Sequence, residues 1–377
     1  GDLILVSPGT YSENNISFEG KDLLLISTDG PEETIIDGSQ NGRMFDFANG
    51  ESFESLLQGF TLQNGSGDGG SAIRVYNDSK VTIRDCIIKN NSSGGTWTRA
   101  ALTLSQPYNM APTTPAAVKV YDTVFEGNNG YYGSAVFNAD NPSEFYNCVF
   151  RNNDGFHATA IHGASNVIIK NSVFHDNNPS RSDLAIISGS NMTILNTTIV
   201  NNGAYAVPNN EDPSMVNTIT NCIIRGNIGF YNYGSNINDD QFNVTYSNIE
   251  GGYDPQGNNG TGVFDADPLF VDESNSNYAL QQGSPCIDAG DPNIYDADNS
   301  ISDVGAFYYG QPTVTTYTGQ HESAGGSLSY TISQGLTDNT EYHWQVTAED
   351  QSGATFTTPL QSFVVNAEND LPSDFDL

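Results

Sequence analysis

A short pattern that recurs at a nearly fixed interval constrains this chain more than any other feature. Its clearest copies are Asp85-Cys86-Ile87-Ile88, Asp122-Thr123-Val124-Phe125, Asn147-Cys148-Val149-Phe150, Asn171-Ser172-Val173-Phe174, Asn196-Thr197-Thr198-Ile199 and Asn221-Cys222-Ile223-Ile224. Aligned on the small second residue, the anchors are Gly59, Cys86, Thr123, Cys148, Ser172, Thr197, Cys222 and Ser247. From Thr123 onward successive anchors lie 24 or 25 residues apart. A unit this short cannot bury a hydrophobic face alone, so the period implies units that stack on their neighbours.

The repeat has columns. Two residues after the anchor stand Ile88, Phe125, Phe150, Phe174, Ile199, Ile224 and Ile249, a strand position that faces a core. Five after it stand Asn64, Asn91, Asn128, Asn153, Asn177, Asn202 and Asn227. Asn suits a turn with left-handed backbone, and stacked Asn side chains hydrogen-bond from coil to coil. A second strand is expected ahead of each anchor, at Ser71-Ala72-Ile73, Ala100-Ala101-Leu102, Ser134-Ala135-Val136, Thr159-Ala160-Ile161 and Leu184-Ala185-Ile186. Residues 1–55 supply the first coils, with strands at Leu3 to Val6, Leu23 to Ile26, Thr34 to Ile36 and Met44 to Phe47. The steps leave no room for crossover helices. An all-β parallel β-helix over residues 1–265 follows, about 25 residues per coil and about ten coils, roughly 50 Å long. One step, Cys86 to Thr123, is longer; Ser105 to Ala117, with three prolines, is its expected loop.

Charge narrows the function. With 12 Lys+Arg against 45 Asp+Glu, the net charge of −33 excludes a nucleic-acid partner and disfavours polyanions in general. It favours divalent cations and a salty extracellular setting. No apolar run is long enough to span a membrane. The chain opens inside a strand at Asp2 to Val6, so removal of an upstream segment is expected. Cys86, Cys148 and Cys222 share one inward column without occupying adjacent coils. Two coil spacings, roughly 10 Å, exceed disulfide reach. They are read as small buried residues interchangeable with Ser and Thr, and Cys286 has no assigned partner.

Val6-Ser7-Pro8-Gly9-Thr10-Tyr11, followed by Ile16 and Gly20-Lys21-Asp22-Leu23, resembles the opening of many secreted right-handed β-helix proteins. Asp267-Pro268-Leu269-Phe270-Val271-Asp272, Tyr278-Ala279-Leu280, the run from Gly283 to Pro292 and Asp303-Val304-Gly305-Ala306-Phe307 resemble, in that order, the closing segment of bacterial surface β-helix proteins of pectate-lyase-like fold. The resemblance covers most of residues 1–310 and implies a right-handed helix, secretion to the cell surface or beyond, and a cap at 266–310 over the open end. Residues 311–366 differ. The run from Gly335 to Val346 and Pro359 to Val365 resemble the later strands of a fibronectin type III β-sandwich, here shorter than a full domain. The tail at 367–377 resembles the linker before a type IX secretion sorting domain.

Two classes of function remain. Three of the five histidines, His157, His162 and His175, fall within two coils beside Arg151. A polysaccharide lyase or epimerase needs a base for the proton α to a uronate carboxylate and a cation to neutralise that carboxylate, which Arg151 with His162 or His175 could supply. Trp97, Tyr131 and Phe156 are candidate glycan-stacking aromatics. These columns mix charged, aliphatic and aromatic side chains freely, as ordinary surface positions do. The reading therefore leans to a non-catalytic surface structural or adhesive protein, with glycans as candidate partners. The Asp-rich loop 291–303 suits Ca²⁺, with Asp296, Asp298 and Asp303 as ligands. Head-to-tail self-association into a fibre or sheath is also expected, with Leu371, Phe375 and Leu377 as the tail's apolar anchors.

Overall fold

The computed structural model describes residues 1–310 except 68, 93–99, 105–114, 132, 139–140, 156–157, 179–184, 208–215, 229–241 and 254–259, together with four strands between 340 and 365. Gly1–Tyr309 form one compact unit and Gly310–Leu377 a second. In the second unit, Thr340–Trp344 pairs antiparallel with Gln361–Val365, and Thr347–Glu349 with Thr355–Thr357.

The first unit is a parallel β-helix built from three sheets, two of ten strands and one of six. The second sheet carries the repeat: Ile87–Lys89, Val124–Glu126, Val149–Arg151, Val173–His175, Thr198–Val200 and Ile223–Arg225 pair in parallel, residue for residue. The third sheet contains Ile73–Val75, Leu102–Leu104, Val136–Asn138, Ala158–Ser165 and Ala185–Ser190, where the second strand was expected. The first sheet opens with the expected strands Leu3–Val6 and Leu24–Ser27; its strands in the regular coils were not expected. Its strands, among them Lys80–Arg84, Ala117–Tyr121, Ser143–Tyr146 and Val167–Lys170, run directly into the anchors. Ala117 therefore opens a strand and does not end a loop; residues 105–114 of the expected insertion lie outside the described residues.

The inward column is closed to solvent. Ile88, Phe125, Phe150, Phe174, Ile199, Ile224 and Ile249 are all buried. Phe125, Phe150 and Phe174 stack face to face, with centroids 4.8 and 4.4 Å apart. This in-register stacking follows from the strand spacing, which places identical side chains one rung above the other.

Two turn positions differ from expectation. The left-handed residues are those just before the anchor (Asp85, Asp122, Asn147, Asn171, Asn196, Asn221) and four after it (Asn90, Gly127, Asn152, Asp176, Asn201, Gly226). The ladder Asn, one residue further on, lies in the core instead. Asn153 shows its full use: Nδ2 donates to Phe125 O at 3.0 Å and to Asn177 Oδ1 at 3.0 Å. Its Oδ1 accepts from the backbone N and the Nδ2 of Asn128, both at 3.1 Å. The same scheme links Asn91 through Asn227, so each buried amide is satisfied by its neighbour. Gly59 was aligned one residue out of register. Ile87 pairs with Thr61, so Phe60 is the counterpart of Cys86, and Asn64 takes the left-handed position with φ 55°.

The small anchors are equally repetitive. Ser172 Oγ donates to Lys170 O at 2.9 Å and accepts from Cys148 N at 3.1 Å. Cys86, Cys148 and Cys222 occupy the same buried sites as free thiols, and burial pushes each up to about 12. Such thiols remain protonated and unreactive at neutral pH.

Residues 266–309, the expected cap, pack against the second sheet. They run along the outer side of the second sheet, where Val173, Val200 and Ile223 pack with Phe270, Tyr278, Leu280, Cys286 and Val304. Asn196 and Asn221 anchor the segment: Asn196 Nδ2 donates to Ser302 Oγ at 2.8 Å, and Asp291 N donates to Asn221 Oδ1 at 2.7 Å. Ala306 N donates to Thr198 Oγ1 at 2.9 Å. Cys286 is buried, and its sulfur accepts from Asn248 Nδ2 at 3.2 Å.

Candidate functional site

Alternation along each strand sends every second side chain outward. On the first sheet this produces an outward file in register: Gln58, Arg84, Tyr121, Tyr146, Lys170 and Leu195 on successive rungs. Each of Arg84, Tyr121, Tyr146 and Lys170 stands two residues before an anchor. The Arg84 guanidinium carbon lies 4.7 Å from the Tyr121 ring centroid. The Tyr121 and Tyr146 rings stack at 5.2 Å, 9° from parallel. The neighbouring outward file contributes Lys119, whose Nζ lies 4.9 Å from the Phe53 centroid and 3.6 Å from Glu144 Oε1. The Tyr146 hydroxyl donates to Glu144 Oε2 at 3.1 Å. Burial, then the adjacent Glu144, raise this phenol's pKa, so it stays protonated and a donor.

The row is partly exposed along its whole length. Beside it opens a concavity of about 500 Å³ lined by Ser27, Gly30, Gln58, Gly59, Asp85 and Asp122. The two carboxylates there are engaged: Asp85 Oδ2 accepts from Gln58 Nε2 at 3.0 Å, and Asp122 Oδ1 from Asn147 Nδ2 at 3.0 Å. The file lies two residues before each anchor, not in the column three after it that holds Arg151 and His175.

The structure does not assemble the other expected sites. Arg151 and His175 are register partners on the second sheet, but His162 belongs to the third. Arg151 donates to Glu126 Oε2 at 2.9 Å. His175 is buried beneath the closing segment, 5.3 Å from the Tyr278 ring, with Nδ1 2.6 Å from Asp176 Oδ2. His162 Nδ1 lies 2.8 Å from Ser188 Oγ. The structure thus sets Arg151 beside a buried His175 and places the partly exposed His162 on a different sheet. Tyr131 is half-buried; Trp97, Phe156 and His157 lie outside the described residues, as do Leu371, Phe375 and Leu377.

In the Asp-rich loop, Asp296, Asp298 and Asp303 are placed among backbone donors. Its carboxylates satisfy backbone donors. Asp296 Oδ2 accepts from Asp303 N at 2.7 Å, Asp298 Oδ1 from Ser300 N at 2.9 Å, and Asp303 Oδ1 from Asp288 N at 2.8 Å. Among the described residues, no group of three or more His, Cys, Asp or Glu side chains is placed to hold a metal ion. Burial, together with the charges of Asp296 and Asp288, raises Asp303 to about 6.

Comparison with known proteins agrees with this geometry. Residues 113–278 match the family described as "Right handed beta helix region". The fold class is thus a right-handed parallel β-helix. Among solved structures, the crystal structure of the pectate lyase Pel9A is similar at 16% identity and a TM-score of 0.50, covering 82% of this chain and 88% of that one. At that identity the likeness concerns the fold. No curated protein matches. Among the described residues no helix is long and apolar enough to cross a membrane.

Proposed function

We propose that this is an extracellular, non-catalytic surface protein that adheres to carbohydrate through the outer face of its first sheet. The observation that carries the reading is the partly exposed file Arg84–Tyr121–Tyr146–Lys170, held in register on four consecutive rungs. A rigid parallel sheet presents such a row at a fixed spacing of about 4.8 Å per rung, comparable to one sugar residue. Preorganisation of this kind lowers the entropic cost of binding an extended polymer. Head-to-tail self-association belongs to the same proposal. Electron microscopy of the purified protein tests it by the presence or absence of fibres.

The second reading, a glycan-acting lyase or epimerase, draws support from the fold shared with a pectate lyase. Incubation with uronic-acid polymers distinguishes the two. The adhesive reading expects polymer bound and recovered intact. Accumulation of unsaturated oligosaccharide would overturn it.

A further inference from the structure

The closing segment shows what the outer side of the second sheet can hold. It lies across two columns of the coils. In the turn column just before each anchor, Asn196 Nδ2 donates to Ser302 Oγ, Asn221 Oδ1 accepts from Asp291 N, and Asn221 O accepts from Gly305 N. In the column just after the anchor, Val173 and Ile223 pack with apolar residues of the segment, and Thr198 Oγ1 accepts from Ala306 N. Backbone N–H groups of the segment thus find acceptors on adjacent rungs, and its apolar side chains find the sheet.

Both columns continue upstream in a different form. Ile87, Val124 and Val149 are in register with Val173, but they are partly exposed where Val173 and Ile223 are buried. Beside them the turn column holds Asp85 and Asp122 in the places of Asn196 and Asn221. These residues line the concavity of about 500 Å³, and Ile87, Val124 and Pro31 give it an apolar floor. Asp85 uses Oδ2 for Gln58 and Asp122 uses Oδ1 for Asn147, which leaves each carboxylate a second oxygen able to accept. Asp29, Glu32 and Glu33 are exposed in the loop that contributes Gly30 and Pro31, so the rim is acidic at this end too. On the far side Glu126 and Arg151 pair with each other, and Lys89 is a single positive charge against these acids.

We infer that this upstream part of the groove docks a short extended segment of a partner protein, rich in lysine or arginine, with apolar side chains on the floor and cationic ones at the acidic rim. Two observations carry it: the groove continues the seat that the closing segment already occupies, and asparagine gives way to carboxylate where that segment ends. The loop at Pro31 closes the upstream end, where Pro31 O accepts from Thr61 Oγ1. From Thr61 to Val173 is four rungs, about 19 Å, the length of about six extended residues. A second copy's closing segment fits poorly, because its acidic run from Asp288 to Asp303 would meet an acidic rim.

The full chain is titrated at about 0.15 M salt, where remote charges are screened, with a blocked, dye-labelled hexapeptide alternating valine and lysine and with its glutamate-for-lysine counterpart. The expected result is saturable binding of the lysine peptide alone, weakened about tenfold in D85N/D122N and in Val124→Ser. Asn already fills the same left-handed turn position at Asn147 and Asn171, so D85N/D122N keeps the coil, and an unchanged melting temperature checks both variants. E13Q/E19Q removes the same charge from exposed positions in the first coils and should bind as wild type does. Equal weakening in that variant reduces the effect to bulk attraction and overturns the site. Failure of the lysine peptide to bind, equal binding of the glutamate peptide, or undiminished binding in Val124→Ser overturns it as well. A dimer of the free protein that Val124→Ser dissolves would assign the groove to a second copy and overturn the basic partner.

Discussion

The coils and the closing segment are both held to the same second sheet, but by different means. The coils repeat one set of contacts: a stacked apolar column, an Asn ladder and a file of small anchors, each satisfied by the rung above and below. Residues 266–309 have no repeat. They dock through Val173 and Ile223, in the column where upstream rungs present Ile87, Val124 and Val149, and through Val200, in the column of Lys89, Glu126 and Arg151. Periodic contacts give a stack whose strength is shared along its length. A single docked patch gives a part that can open alone.

The largest expected effect falls in the coils. Phe150→Ala leaves a cavity between Phe125 and Phe174 and should cost about 3–5 kcal/mol in chemical denaturation. A much smaller loss would count against the stacked column. Asn153→Ala should follow at about 2–4 kcal/mol, because it strips an acceptor from both nitrogens of Asn128 and a donor from Phe125 O. If that variant matches wild type, the ladder is decorative.

Ile223→Asp should act on the closing segment alone. Burying an unpaired carboxylate against Val304 and Cys286 should expose residues 266–309 to proteolysis while the coils stay resistant. Simultaneous digestion of both regions would erase the distinction.

Asp303 adds a pH term to the docked segment. Its folded pKa, about 6, lies above the unfolded value of about 3.9. Its contribution to stability is therefore fully present below about pH 3.9 and is lost as pH rises through about 6. Wild type should lose melting temperature more steeply between pH 4 and pH 7 than Asp303→Asn, which lacks this titration; parallel slopes would refute the assignment. The smallest effect is expected at Asp298, which caps Ser300. Asp298→Ala should melt alike with and without chelator, and a chelator-sensitive shift present only in wild type would restore the calcium site.

The same contrast explains what the sequence made legible. Ile88, Phe125 and Phe150 revealed the core because stacking reproduces a sequence period as a spatial column. In the regular coils the first sheet is hidden because its inward pairs, such as Val81 with Ile83 and Val118 with Val120, merge into the run before each anchor. The left-handed residues were placed one position late, since Asn occupies both the turn and the ladder beside it. Docking of the closing segment was hidden in a different way. Burial of Val200 and His175 depends on chain more than seventy residues away, which no local pattern encodes. Arg84, Tyr121, Tyr146 and Lys170 form a readable column, but only the three-strand coil shows that it faces outward.

Hydrogen exchange resolved by peptide, compared between wild type and Ile223→Asp, tests the central claim most directly. The account predicts that amides of Ile87–Lys89, Val124–Glu126, Val149–Arg151 and Val173–His175 exchange slowly and together in both proteins. Peptides from 266–309 should exchange sooner in wild type and lose protection selectively in the variant. Uniform loss of protection across the coils and the segment would contradict it.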